Sequence, residues 1–271
     1  MKKTAIVINV LLCSFIFFAS PHGAKADVYK GITANKEIRI GISKHYPPLN
    51  FKGGKSGLEM EMARELGKFL GVKVTLVKLP VAGYVSALQK GRVDIILAGF
   101  SRNLKRGRII WFSKPYLSVT PGVLVQKNAL PQRRYGDEFE ERPISSIWDL
   151  KSLTRFSFAV KKGSAYEELL KEHFPNTKRV IITTNEEGMR LLKKGRVKGF
   201  VHDSLYLKYL HGASAKLRSR YRLLQGGSQT EQICIGLPFG DVVLKNQIDL
   251  FVDEMIRTGR IRSWLEKYNT K

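Results

Sequence analysis

Apolar and polar positions alternate between two periods along most of this chain, and the two periods take turns. EIRIGI (37–42) is short, β-branched and apolar, which predicts a buried strand. LEMEMARELGKFLG (58–71) places apolar residues at 58, 62, 66, 69 and 70, close to helical spacing, and Gly71 suits a C-terminal cap. VKVTLV (72–77) reads as a strand, AGYVSALQKG (82–91) as a short helix ending in glycine, and VDIILA (93–98) as another buried strand. The middle of the chain repeats the theme: strand 156–160, helix 165–174, strand 179–183, helix 185–195, strand 197–203. The span 220–232 reads as a strand with a glycine-bearing return, ICIGLP (233–238) as a further strand, and two amphipathic helices follow at about 242–257 and 259–268. Strands separated by helices of this length predict an α/β fold with parallel sheets and right-handed crossovers.

One internal echo changes how these elements are grouped. LQKGRVDIILAG (88–99) and LKKGRVKGFVHD (192–203) both run from a helix end through KGRV into a strand and then a loop. Chance similarity of two helix–strand units is one explanation. Two lobes of similar build, each ending a central strand at a shared cleft, is the other. The polar span 127–150, with two prolines and a charge reversal from RR to DEFEER, reads as a surface connection into the second lobe. These features divide the chain into a leader at 1–26, a first lobe at 27–126, a second lobe at 127–222, and a return to the first lobe with C-terminal helices at 223–271. A lobe entered and left by separate crossings has a natural two-crossing hinge.

The leader is made of different material. Lys2 and Lys3 precede an apolar run from Ala5 to Ser20, and Ala24-Lys25-Ala26 supplies small residues for cleavage before Asp27. This pattern predicts a secretory signal removed after Ala26 and a periplasmic location. The run is shorter than the roughly 20 residues a spanning helix needs, and no later segment has 18 consecutive apolar residues, so the exported chain is expected to be soluble. Cys13 falls inside the leader and follows Leu12, not the small residue a lipid-attachment cysteine needs. Cys234, inside ICIGLP, is expected to pack in the core.

Charge adds less than its size suggests. The chain carries 47 lysines and arginines against 23 acids, a formal net charge of +24. The basic residues are spread along the whole sequence, a weak signal for nucleic acid. A polyanion-binding surface and a merely solvated one both fit. Zinc-protease, CxxC, GxSxG and phosphate-loop motifs are absent from the sequence. His45, His173, His202 and His211 lack metal-ligand spacing and read as structural or exposed, so neither metal nor cofactor is expected.

The loop after strand 93–98 is more informative, because ligands of open α/β sheets sit beyond the carboxyl ends of strands. Gly99 permits close backbone approach, Ser101 offers a hydroxyl and an amide, and Arg106 offers a planar fork for a carboxylate. A solvated basic turn of Arg102, Lys105, Arg106 and Arg108 is the competing reading. At the matching end of the second unit, Asp203 suits a ligand ammonium, or caps the helix that starts near Ser204. Gly163 and Ser164 open the 165–174 helix, whose N-terminal amides suit an anion.

YPPLNF (46–51), GLEMEMARELGKFLGVKV (57–74), the 84–108 segment, IIWFSKPYL (109–117), KKGSAYEELL (161–170), GRVKGFVHDSLYL (195–207) and GRIRSWLEKY (259–268) together resemble the extracellular solute-binding proteins, family 3, of polar amino-acid ABC transporters. The likeness spans about 37–268. It implies a two-lobed periplasmic binding protein of type II, each lobe a mostly parallel sheet flanked by helices. It also implies a function: binding a free amino acid or similar small polar solute and delivering it to a membrane permease. Gly99, Ser101 and Arg106 would hold the ligand α-carboxylate, helped by the Ser164 amide; Asp203 would bind the ammonium, and Tyr46 would pack over the ligand side chain. The protein would be a monomer and not an enzyme. This chain departs from the family pattern at Asn103, where threonine is frequent, at Val81, where an aromatic is usual, at Ser43, where basic-amino-acid binders can carry an acid, and at Ala165 and Tyr166, which replace a small polar pair. Rival readings are a cyclohexadienyl dehydratase-like enzyme on the same fold, with Glu167 or Glu168 as general acid, and a sensor, cell-wall or polyanion-binding module.

Overall fold

Two five-stranded sheets of the same design carry the chain. The computed structural model describes residues 27–131, 144–153, 155–227 and 230–269, so the leader at 1–26 lies outside the described residues. The strands are β1 (Glu37–Ile42), β2 (Lys73–Lys78), β3 (Ile95–Ile96), β4 (Trp111–Val119), β5 (Pro121–Gln126), β6 (Ser157–Lys161), β7 (Lys178–Ile182), β8 (Gly199–Asp203), β9 (Tyr221–Gln225) and β10 (Glu231–Leu237). The first sheet runs β2-β1-β3-β10-β4 and the second β7-β6-β8-β5-β9. The two orders superimpose position for position, so β3 and β8, the strands of the KGRV echo, are both third in their sheets.

The apolar periods explain the layers. Ile38, Ile40 and Ile42 of β1 share one face of the strand and are fully buried. The helix Leu58–Leu70 packs Leu58, Met62 and Leu66 into the same cluster, at the spacing seen in the sequence. Burying each such side chain is worth about 1.5–3 kcal/mol. The helices Ala165–His173 and Asn185–Lys193 do the same work in the second lobe. Val242–Arg257 and Arg260–Asn269 close the chain as expected, and an additional helix, Val28–Asn35, precedes β1. Cys234 is fully buried, in keeping with a packing role.

The sheets are mostly parallel, as expected, with one reversed strand in each: β1 pairs in parallel with β2 and β3, and β10 lies antiparallel to both β3 and β4, so β2, β1, β3 and β4 share a direction. In the second sheet β6 is parallel to β7 and β8, while β5 is antiparallel to β8 and β9. The cause is an exchange of strands across the hinge, which needs no crossover helix. The lobe boundaries move for the same reason. Since β5 and β9 both belong to the second sheet, the chain crosses at Thr120 and within 226–230, not at 126/127 and 222/223. The described ends of the polar span 127–150 pack with the second lobe: Leu130 enters its core, as do Ile147 and Leu150 of a 3-10 turn at Ile147–Ser152.

Candidate functional site

Both sheets aim the carboxyl ends of their parallel strands at one cleft. The turn into each central strand is built alike: Gly91 and Gly195 adopt φ of 61° and 67°, and Val93 and Val197 are then buried. Beyond β3 the chain reaches Gly99, beyond β6 it reaches Gly163 and Ser164, and β8 ends on Asp203. β1 is followed by Ser43 and Tyr46. A cavity of about 30 Å³ remains between the lobes; Tyr46, Gly99, Ser101, Arg106, Ser164 and Lys161 are among its walls.

On the first lobe, Gly99 has φ 59°, and a β-carbon there would stand 2.2 Å from Cε1 of Tyr46, so the ring lies directly on the glycine backbone. The Gly99 amide donates to Oε1 of Glu59 at 2.5 Å, and the Tyr116 hydroxyl donates to the same oxygen at 2.5 Å. The Ser101 hydroxyl donates to Glu231 Oε2 at 2.6 Å. Asn103 caps the short turn Leu104–Gly107 by accepting from the Arg106 amide at 2.8 Å. That turn separates the four basic residues. Arg102, Lys105 and Arg108 are exposed, whereas the Arg106 guanidinium lies 4.5 Å over the Phe100 ring and reaches the cavity. It donates to the Ser101 carbonyl and, across the cleft, to the Gly163 carbonyl at 2.8 Å.

On the second lobe, Asp203 is fully buried and both sequence readings of it meet there. Its Oδ1 accepts from the Tyr206 amide at 2.7 Å, which caps the helix Ser204–Gly212. Its Oδ2 accepts the Tyr46 hydroxyl from the other lobe and lies 2.5 Å from His202 Nδ1. Ser164 caps the Ala165–His173 helix: its hydroxyl accepts from the Glu167 amide at 3.2 Å, and its own amide donates to the Lys161 carbonyl at 3.2 Å. The Ser164 amide expected to face an anion is therefore spent on a turn.

Three carboxyls lie around this cleft, Asp203 and Glu59 fully buried and Glu231 half-buried, and their surroundings push their pKa values apart. Burial acts to raise the Asp203 pKa, but attraction from His202 and hydrogen bonds from His202, Tyr46 and the Tyr206 amide outweigh it, leaving the pKa below its ordinary value. Glu59 receives only the Tyr116 and Gly99 bonds, its Oε2 has no partner, and burial carries its pKa up to about 7. Burial also raises Glu231 to about 7 against the bond from Ser101 and the attraction of Arg106. Burial lowers the pKa of Lys161, against attraction from Glu186 and Asp203.

Of the six residues singled out from the sequence, Tyr46, Gly99, Ser101, Arg106 and Ser164 line the cavity, and Asp203 touches it through Tyr46. Val81 and Tyr166, noted as departures, are also walls. Glu167 accepts the Gly163 amide and pairs with Lys171, and Glu168 pairs with Lys105 and Lys171, so both are engaged away from the cavity. Sequence reasoning passed over Glu59, Lys161 and Glu231, and read His202 only as structural or exposed. Glu59 had a signal, since it shares the 59, 62, 66 helix face with buried Met62 and Leu66. Lys161 had one too, standing directly after the predicted strand 156–160; it is the last residue of β6.

The two lobes, their strand exchange and the cleft between them define a two-lobed α/β binding-protein fold. The profile of the bacterial extracellular solute-binding proteins, family 3, matches residues 38–271, and the chain belongs to that family. It is 25% identical over 237 residues to the L-cystine-binding protein TcyJ of Escherichia coli, covering 85% of this chain and 82% of that protein. It is 27% identical over 133 residues to the cyclohexadienyl dehydratase of Pseudomonas aeruginosa, covering 47% of this chain and 50% of that enzyme. Among solved structures it resembles the ancestral amino acid-binding protein AncCDT-1, a precursor of cyclohexadienyl dehydratase, with a TM-score of 0.74 and 26% identity over 89% of this chain and 99% of that one. No described helix is long and apolar enough to cross a membrane.

Proposed function

We propose that this protein is a periplasmic receptor that binds an α-amino acid between its lobes and delivers it to an ABC permease. One observation carries the reading: a cation of the first lobe, Arg106, and an anion of the second, Asp203, converge on one cleft, each reaching a group of the opposite lobe. Arg106 grips the α-carboxylate together with Gly99 and Ser101, and Asp203 takes the ammonium. A cavity of about 30 Å³ holds water but no amino acid. Entry therefore requires the Tyr46 ring to leave Gly99, or the lobes to part about Thr120 and 226–230. As Tyr46 leaves, the ligand ammonium replaces its hydroxyl on Asp203. Such an exchange gives the ligand the differential affinity for the closed state that drives closure. Export through the 1–26 leader completes the reading; an intact mass that starts at Asp27 checks it.

The test is Arg106→Ala. Removing a charge-assisted, largely desolvated contact weakens amino-acid binding by about 2–5 kcal/mol, read by calorimetry. Binding as tight as the parent's would show that Arg106 does not hold the carboxylate. The ligand for this test comes from a thermal-shift screen, where 100 times the dissociation constant adds about 2.7 kcal/mol of stability.

A second reading has a specific observation in its favour. Glu59 and Glu231, with pKa values near 7, have the protonation a general acid needs, as a dehydratase would require. Turnover of a cyclohexadienyl acid by the purified protein, lost in Glu59→Gln or Glu231→Gln, would replace the receptor reading.

A further inference from the structure

Lys161 is a cation for which the amino-acid reading has no task. β6 carries it to the cleft end of the sheet, two residues before Gly163, and it forms part of the same cavity wall as Arg106 and Tyr46. Its ammonium makes no ion pair or side-chain hydrogen bond among the described residues; Glu186 and Asp203 attract it only from longer range. Three acids around the cleft already accept hydrogen bonds. Asp203 holds Tyr46, His202 and the Tyr206 amide, Glu59 holds Gly99 and Tyr116, and Glu231 holds Ser101. Lys161 is half-buried, and an unpaired ammonium partly withdrawn from water carries a cost that is relieved by whatever anion enters beside it.

A ligand with a single carboxylate spends it on Arg106 and leaves Lys161 as it was. A ligand with a cationic side chain adds a third positive charge beside Arg106 and Lys161. We propose that the ligand is an α-amino acid carrying a second carboxylate, and that Lys161 selects it by pairing with that second group. The proposal rests on the amino-acid reading above and narrows it to a substrate class. Val81 and Tyr166 complete the wall that the ligand's connecting chain would cross.

Calorimetric titration of the purified protein with L-aspartate, L-glutamate, L-2-aminoadipate and L-cystine, beside asparagine, glutamine, arginine and histidine, tests this. The tightest ligand is expected to have two carboxylates and to bind at least about tenfold more tightly than any amide or cationic amino acid, equivalent to about 1.4 kcal/mol. Lys161→Met and Lys161→Gln are expected to abolish that preference without lowering the thermal midpoint, and Lys161→Arg to keep it. Tightest binding of an amide or a cationic amino acid, or a preference that survives in both Lys161→Met and Lys161→Gln, overturns the second-carboxylate assignment and leaves the receptor reading standing. Failure of every amino acid to bind overturns both.

Discussion

In the first lobe, LQKGRVDIILAG leads a helix end through Gly91 into β3; in the second, LKKGRVKGFVHD leads through Gly195 into β8. The turns match to the hydrogen bond. Arg92 donates to the Ala87 carbonyl at 2.9 Å and Arg196 to the Leu191 carbonyl at 3.0 Å. The two units part at their last residues. The first ends in a glycine whose amide is held by Glu59, with Arg106 close behind; the second ends in His202 and Asp203. One scaffold used twice thus presents donors on one wall and an acceptor on the other. The same turn delivers both; the units then differ in backbone, Gly99 at φ 59° against an extended Asp203, and in the side chains they present, which can be attacked residue by residue.

The largest effect is expected at Asp203. Asp203→Ala removes a helix cap, worth about 0.5–2 kcal/mol, and strips buried Tyr46 and His202 of their shared partner. Breaking a buried network of this kind costs about 3–5 kcal/mol. Denaturant unfolding measures it, and a loss no greater than that of an exposed cap would mean that the link between lobes contributes nothing. Asp203→Asn, which keeps an oxygen for the Tyr206 amide, is expected to fall between the two.

The opposed carboxyls sharpen the comparison through pH. Glu59 and Glu231 have folded pKa values of about 7 against an ordinary 4.5, so between those limits the folded state holds protons that the unfolded state has released. Stability therefore falls as pH rises from about 4.5 to about 7 and levels off above, by up to about 3 kcal/mol for each group. Asp203 acts the other way: its lowered pKa gives stability that is present above its ordinary 3.8 and lost as pH falls below it. The two lobes together set a stability maximum on the mildly acidic side. Unfolding free energies across pH 4.5–8 should show the decline, and Glu59→Gln should flatten it more than Glu231→Gln, because Glu59 is the more completely enclosed. A parent protein that gains stability over this range would contradict the assignment.

How much of this could be read from the chain follows from where each signal lies. The echo, the alternation of periods and the residues at strand ends were legible, because burial and strand-end geometry act within a dozen residues. Of the basic run at 102–108 only Arg106 was singled out for a ligand, and it alone is half-buried while Arg102, Lys105 and Arg108 are exposed. The crossings were not, because β4 and β5 form one extended stretch, WFSKPYLSVTPGVLVQ, whose change of sheet at Thr120 leaves no mark in hydropathy. Glu231 was not, because its partner Ser101 is 130 residues away. The full engagement of Asp203 was not, because a cap residue is a local feature, whereas Tyr46 reaches it from the other lobe.

The smallest expected effect probes the shared scaffold itself. Gly91 and Gly195 both sit in the left-handed region, and an added β-carbon would meet nothing within 4 Å at Gly91 and only the Gln126 side-chain amide, at 3.8 Å, at Gly195. Each alanine substitution therefore costs backbone strain alone, about 1–2 kcal/mol. The turns lie at the ends of the strands away from the cleft, so ligand affinity should not change. If the two units are built alike, Gly91→Ala and Gly195→Ala should lose equal stability in denaturant unfolding, to within about 0.5 kcal/mol, and their losses should add in the double variant, since the sites share no partner. Unequal losses would mean that the lobes differ in the turn as well as in the residues they present. A change in affinity from either substitution would mean that the turn, far from the ligand, sets how the lobes close.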